Sequence, residues 1–138
     1  MATKARPAKL QFNHMMLYVS DVGRSLEFYQ GKLGFRLLQT FEYGGSPVYA
    51  RIRSPLGQTT IALHGPEGDD APMPTTGARL YFEVRQLDRF CKQLEKQGVK
   101  LKQRPKKMPW GWRHAYVLDP DGYEISLYWA GKARLQRN

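Results

Sequence analysis

Apolar and polar positions alternate from Phe12 to Ser20, which predicts a strand with one buried face. Met15, Leu17 and Val19 fall on one side; His14, Met16, Tyr18 and Ser20 fall on the other. Asp21 then offers an N-cap, and Val22, Leu26, Tyr29 and Leu33 recur at helical spacing as far as a stop at Gly34. Extended stretches are expected at Phe35–Phe41, Val48–Arg53 and Thr59–His64, with Gly44-Gly45 and Pro55-Leu56-Gly57 supplying the turns. Residues 65–77, GPEGDDAPMPTTG, read as a linker.

The same order then recurs. A strand at Arg79–Val84 precedes an amphipathic helix marked by Leu87, Phe90, Cys91 and Leu94, which ends at Gly98. Strands at Lys100–Arg104, Trp112–Leu118 and Tyr123–Trp129 complete this half. His14 through Val22 aligns with Arg79 through Leu87 at an offset of 65, and Ile61–His64 with Ile125–Tyr128 at an offset of 64. The chain therefore reads as one α+β domain of two tandem βαβββ modules, at 10–64 and 78–131, between short tails at 1–9 and 132–138.

Strand parity assigns the faces. Leu80, Phe82 and Val84, Ile61 and Leu63, and Ile125, Leu127 and Trp129 are expected to meet the helices. The opposite face would then gather His14, Tyr18, His64, Arg79, Tyr81, His114, Tyr116, Ser126 and Tyr128, so that all three histidines of the chain share one concave surface. Such a face is suited to a ligand.

Composition narrows the classes. With 138 residues, 41% hydrophobic, the chain can bury the core of a single domain. No apolar run nears the roughly 20 residues of a membrane span, and the first residues lack the apolar centre of a signal peptide, so a cytoplasmic protein is expected. One cysteine, Cys91, permits neither an internal disulfide nor a cysteine-rich metal site, and its place on the helix stripe assigns it to the core. The net charge of +10 is concentrated in Lys4, Arg6, Lys9, Lys132, Arg134 and Arg137; without these six the balance is only +4. Solvated tails explain that charge, and no nucleic-acid motif accompanies it. The further run Lys100, Lys102, Arg104, Lys106 and Lys107 fits a lysine-protected edge strand.

Asn13-His14, the segment Asp21–Phe35 (DVGRSLEFYQGKLGF) and Asp119-Pro120-Asp121-Gly122 together resemble the vicinal oxygen chelate superfamily, which includes glyoxalase I, bleomycin-resistance proteins and extradiol dioxygenases. The resemblance spans about residues 12–130 and implies the glyoxalase/bleomycin-resistance fold, a curved mixed sheet around a cavity, in a homodimer. It also implies a divalent metal held by two strand positions from each half. Those positions fall on His14, Ala62, Arg79 and Ser126, three of which cannot be the usual ligands. A set rebuilt from His14, His64 and Glu124 would supply two imidazoles and a carboxylate, but His64 and Glu124 each sit two residues from the expected place, about 6.7 Å along a strand.

The segment Pro109-Trp110-Gly111, with Arg113 and the DPDG turn, resembles bleomycin-resistance-like members that hold a small molecule without metal, although Trp112 is one residue more than their tighter form. The expected function is therefore metal-independent binding of an aromatic or anionic small molecule, with no cofactor. Arg79 would meet an anionic group, and Trp110, Trp112, Tyr116 and Tyr128 would stack on a flat ring. The alternatives are a metal-dependent lyase or dioxygenase with displaced ligands, a metal-free acid–base enzyme using His14 or His114, and a nucleic-acid-associated protein resting on the basic tails.

Overall fold

The computed structural model describes residues 9–66 and 77–131; residues 1–8 and 132–138 of the basic tails, and residues 67–76 of the linker, lie outside them. The first module runs β1 (His14–Tyr18), α1 (Val22–Tyr29), β2 (Arg36–Tyr43), β3 (Ser46–Arg53) and β4 (Thr60–His64). The second runs β5 (Leu80–Glu83), α2 (Leu87–Lys96), β6 (Leu101–Lys107), β7 (Arg113–Leu118) and β8 (Glu124–Trp129). Both modules have the predicted βαβββ order.

Local chemistry explains the boundaries. Asp21, extended at φ −150°, caps α1 by accepting from the backbone N–H of Arg24. The two-residue turn between β2 and β3 needs left-handed backbone at both central positions, and Gly44 and Gly45 supply φ of 61° and 82°. Several boundaries differ from expectation: α1 ends at Tyr29 before Gly34, β2 and β3 extend to the Gly44-Gly45 turn, and β6 runs past Arg104. β6 continues to Lys107 through Pro105, because it is an edge strand paired only with β7, and an edge strand has room for a residue that donates no ladder bond.

The strands form two four-stranded sheets, ordered β1-β4-β3-β2 and β5-β8-β7-β6. In each, the first strand of the module runs parallel to the last and the other pairs are antiparallel. The face parity read from the sequence holds: Leu17, Val19, Ile61, Leu63, Ile125 and Leu127 are buried, with Ala50, Ile52, Ala115 and Val117 beside them on the inner strands. Burial of this apolar area is the main stabilising contribution. Phe35 of the first module meets Phe82 of the second edge-on at 5.5 Å, so the core is continuous between modules.

The expectation of a single face shared by all three histidines is corrected. β1 and β5 are edge strands of separate sheets, so the chemistry-bearing side chains divide into two half-faces. His14 and His64 belong to the first sheet and His114 to the second.

Candidate ligand-binding faces

On the first half-face, β1, β3 and β4 lie side by side, with Arg51 opposite Ala62 and Tyr49 opposite His64. The His14 Nδ1 lies 2.7 Å from Asn13 Oδ1, and its Nε2 lies 3.3 Å from Arg51 Nη2. Only one tautomer satisfies both contacts: Nδ1–H donates to the amide oxygen, and Nε2 accepts from the guanidinium. Arg51 also donates from Nε to the Tyr49 hydroxyl at 3.1 Å and from Nη1 to Asn13 Oδ1 at 3.2 Å. His64 contacts the rings of Tyr18 and Tyr49 at centroid distances of 5.4 and 6.3 Å, and Phe41 extends this row beyond Tyr49. A shallow cavity of about 430 Å³ opens along Gln39, Phe41, Val48, Tyr49 and His64.

The second half-face is a bed of rings. Trp112, His114 and Tyr128 are nearly parallel: Trp112 lies 10° from the plane of Tyr128 at 5.2 Å, and His114 lies 20° from it at 5.5 Å. Trp110 and Tyr81 stand edge-on to His114 at 5.4 and 6.0 Å, and Tyr116 is tilted against it at 6.0 Å. Cross-strand register produces the arrangement, since His114 faces Tyr128 and Tyr116 faces Ser126. His114 is only 2% exposed. Its Nδ1 lies 2.9 Å from Ser126 Oγ, while its buried Nε2 has no hydrogen-bond partner among the described residues. Burial, followed by the nearby Arg79 charge, lowers the His114 pKa and favours neutral imidazole.

Arg79 sits with its guanidinium carbon 4.7 Å from the Tyr116 ring centroid and ion-pairs with Glu124 at 3.0 Å. Lys102 binds the other oxygen of Glu124 at 2.9 Å. The hydrogen bonds from Lys102 and then Arg79 hold the Glu124 carboxyl below its ordinary range. Arg79 is thus a charge already matched by an acid.

These placements bear on the residues expected to act together. His14 and His64 share the first half-face; Arg79, Tyr81, Trp110, Trp112, His114, Tyr116, Ser126 and Tyr128 share the second; Tyr18 belongs with His64. His14, His64 and Glu124 do not converge, and no group of three His, Cys, Asp or Glu side chains able to hold a metal ion occurs among the described residues. The four positions at which the fold implies a metal do not fit one. Ala62 offers a methyl, Arg79 a cation, Ser126 a hydroxyl already used by His114, and the Nε2 of His14 faces Arg51. Sequence reasoning missed Arg51, Tyr49 and Phe41. The signal was available in the third strand, where Tyr49, Arg51 and Arg53 alternate with the apolar Ala50 and Ile52.

A separate crevice of about 510 Å³ runs between α1 and the start of β6, lined in part by Arg24, Phe28, Lys32, Val99 and Lys100, away from the histidines. Among the described residues no helix is long and apolar enough to cross a membrane.

The two βαβββ units thus each present a sheet face of aromatic and cationic side chains. The family profile described as Glyoxalase/Bleomycin resistance protein/Dioxygenase superfamily matches residues 11–127, and the chain belongs to that superfamily. It is 31% identical to a lactoylglutathione lyase of Pseudomonas aeruginosa over 144 aligned positions, covering 84% of this chain and 80% of the relative. A superfamily member from Sphaerobacter thermophilus superposes with a TM-score of 0.70 at 30% identity, covering 88% of this chain and 98% of the other. TnmS3, an antibiotic binding protein from Streptomyces sp. CB03234, superposes with a TM-score of 0.69 at 26% identity, covering 88% and 97%.

Proposed function

We propose that the protein is a metal-independent binder of a flat aromatic or anionic small molecule, acting by sequestration in the cytoplasm. The observation that carries this reading is the aromatic bed in which the half-buried Trp112 and Tyr128 lie nearly parallel to each other and to the buried His114 ring, offering π-surface where the family metal positions offer no donor set. The likeness to an antibiotic binding protein supports it. In one chain the half-faces stay open: Tyr18, Tyr81 and Trp110 are 40%, 52% and 55% exposed. β1 and β5 each pair on one side only. A second copy, bringing the first half-face of one protomer over the second half-face of the other, would cover these rings and enclose a cleft, so a homodimer belongs to the same reading.

Tryptophan fluorescence tests it. Titration of the purified, chelator-treated protein with planar aromatics of two and three rings should give saturable quenching through Trp110 and Trp112, weakened at least tenfold by Trp112→Leu. Light scattering should give twice the chain mass. Absence of quenching by every planar probe, or quenching that requires added Ni²⁺ or Zn²⁺, would overturn the proposal.

The likeness to lactoylglutathione lyases favours a metal-dependent lyase as the second reading. Isomerisation of a glutathione hemithioacetal by the metal-loaded protein would decide for it.

A further inference from the structure

We infer that Arg51 is the anion-recognising residue of this protein, a guanidinium standing against the His14 nitrogen that the fold family gives to a metal, and that it takes a carboxylate, phosphate or other oxyanion carried by the ligand. This deepens the binding reading above, because it names the polar group that the aromatic ligand must carry.

Three observations lead to it. The first is the orientation of the side chain. Tyr49 Oη, Asn13 Oδ1 and His14 Nε2 accept from Nε, Nη1 and Nη2, which fixes the plane of the guanidinium with one N–H on each terminal nitrogen still uncommitted. A guanidinium held in one plane presents its remaining N–H groups in fixed directions to an oxyanion. The second is its charge balance. All three partners are neutral, and β1, β3 and β4, which build the half-face, contain no Asp or Glu. The one acid of β2, Glu42, lies at the hairpin end opposite Pro47. A partly buried cation without a carboxylate partner among the described residues is poised for an anion from outside.

The third observation is the contrast with the other module. Arg79 occupies the position equivalent to His14, and Tyr116, opposite Ser126, occupies the position equivalent to Arg51, opposite Ala62. Each half-face therefore carries one guanidinium beside one ring, with the two residues exchanged. Arg79 is neutralised by Glu124, whereas Arg51 has no acidic partner among the described residues. Of the two, Arg51 is the charge left for a ligand. The Tyr49, His64 and Phe41 rings beside it supply the apolar wall for the body of that ligand.

Side-chain ¹⁵N NMR of the full chain tests this with benzoate, phenylphosphonate and neutral benzamide. Benzoate or phenylphosphonate should move the Arg51 Nε–H resonance saturably and benzamide should not, with the tighter of the two anions identifying the oxyanion class. Arg51→Gln should weaken binding of that anion by about tenfold or more, as expected for loss of charge-assisted hydrogen bonds. Arg104→Gln, an exposed β6 arginine paired with Glu95 and outside both half-faces, should change it by less than about threefold. The inference fails if no anion moves the Arg51 resonance, if benzamide moves it equally, or if Ni²⁺ alone broadens the His14 resonances and displaces benzoate. If Arg51→Gln does not fold, the wild-type resonance and the benzamide comparison still decide. Planar aromatics that bind with Arg51 unmoved would sink this inference and leave the binding proposal standing. Anions that move Arg51 without any aromatic binding would do the reverse.

Discussion

Tyr29 and Asp119, 90 residues apart in sequence, are joined by a buried 2.8 Å hydrogen bond from the phenolic hydroxyl to Oδ2. Each belongs to a different sequence signature, Tyr29 to the helix segment after Asp21 and Asp119 to the DPDG turn. The same turn holds the modules together twice more. Asp121 Oδ1 accepts from the backbone N–H of Ser20 at 3.1 Å, and the Tyr123 hydroxyl donates to the Tyr18 carbonyl at 2.7 Å. The two signatures that mark the superfamily in sequence are thus the two sides of an intramolecular clasp between its duplicated halves.

Removing the donor from the clasp should be costly. Asp119 also accepts from the backbone N–H groups of Asp121 and Tyr123, and burial raises its pKa despite all three bonds. Tyr29→Phe keeps the ring packing against Phe28 and Phe35 but leaves a buried carboxylate oxygen short of a partner. The expected loss is about 1–3 kcal/mol in urea unfolding. A loss below about 0.5 kcal/mol would mean that water replaces the hydroxyl and that the clasp is not a stabilising contact.

Ser25, one turn before Tyr29 on α1, presents the opposite case. Its side chain is fully buried and its hydroxyl has no hydrogen-bond partner among the described residues. Ser25→Ala removes an unsatisfied polar group and improves helix propensity, so it should stabilise the protein by about 0.5–1 kcal/mol. Destabilisation in the same urea experiment would show that the hydroxyl has a partner in solution.

Cys91 lies on the buried stripe of α2, 1% exposed. Burial, aided by Asp88 and Glu95, pushes its thiol up to about 11. Since only the thiolate reacts, labelling by iodoacetamide at pH 8 should be more than about 100-fold slower in the native protein than in urea. Fast native labelling would place this helix face outside the core.

The fold was legible in the sequence because both of its determinants are local. Alternation set each strand's face, and Asp21, Gly44 and Gly45 set a helix start and a hairpin turn, which the structure reproduces, whereas α1 ends at Tyr29, before the expected stop at Gly34. The site was legible one side chain at a time but not as an assembly. Parity shows that His14, His64 and His114 point away from the helices, but it cannot show that β1 and β5 belong to different sheets, because that depends on how the modules dock. Arg51 went unread for a different reason. Its importance comes from the absence of a nearby acid among the described residues and from three neutral acceptors, two of them, Asn13 and His14, distant in sequence and brought across β4 by the fold. Glu124, considered as the carboxylate of a rebuilt set although two residues from the expected place, is already held by Lys102 and Arg79.

His114 should make the stability of the second module depend on pH. Its pKa is lowered from the ordinary 6.5 in the folded protein, by burial first and then by Arg79. On acidification the unfolded chain takes up this proton before the native chain does. The stabilisation is therefore complete above about pH 6.5 and is lost as the pH falls through the native value. Tyr81, Tyr116 and Tyr128 contribute rings rather than opposing charge, and Glu124, whose ordinary pKa is 4.5 and is lowered further, stays ionised at pH 5. The window between pH 7.5 and 5 thus isolates the imidazole from that acid. Asp119, raised by burial, acts in the opposite direction at lower pH and is common to both proteins being compared. His114→Phe keeps a ring among Trp110, Trp112 and Tyr128 and removes both the titration and the unsatisfied Nε2. In urea unfolding the wild type should lose stability from pH 7.5 to 5, and the variant should lose measurably less. Equal slopes in the two proteins would mean that this imidazole is reached by water and is not shielded by the rings around it.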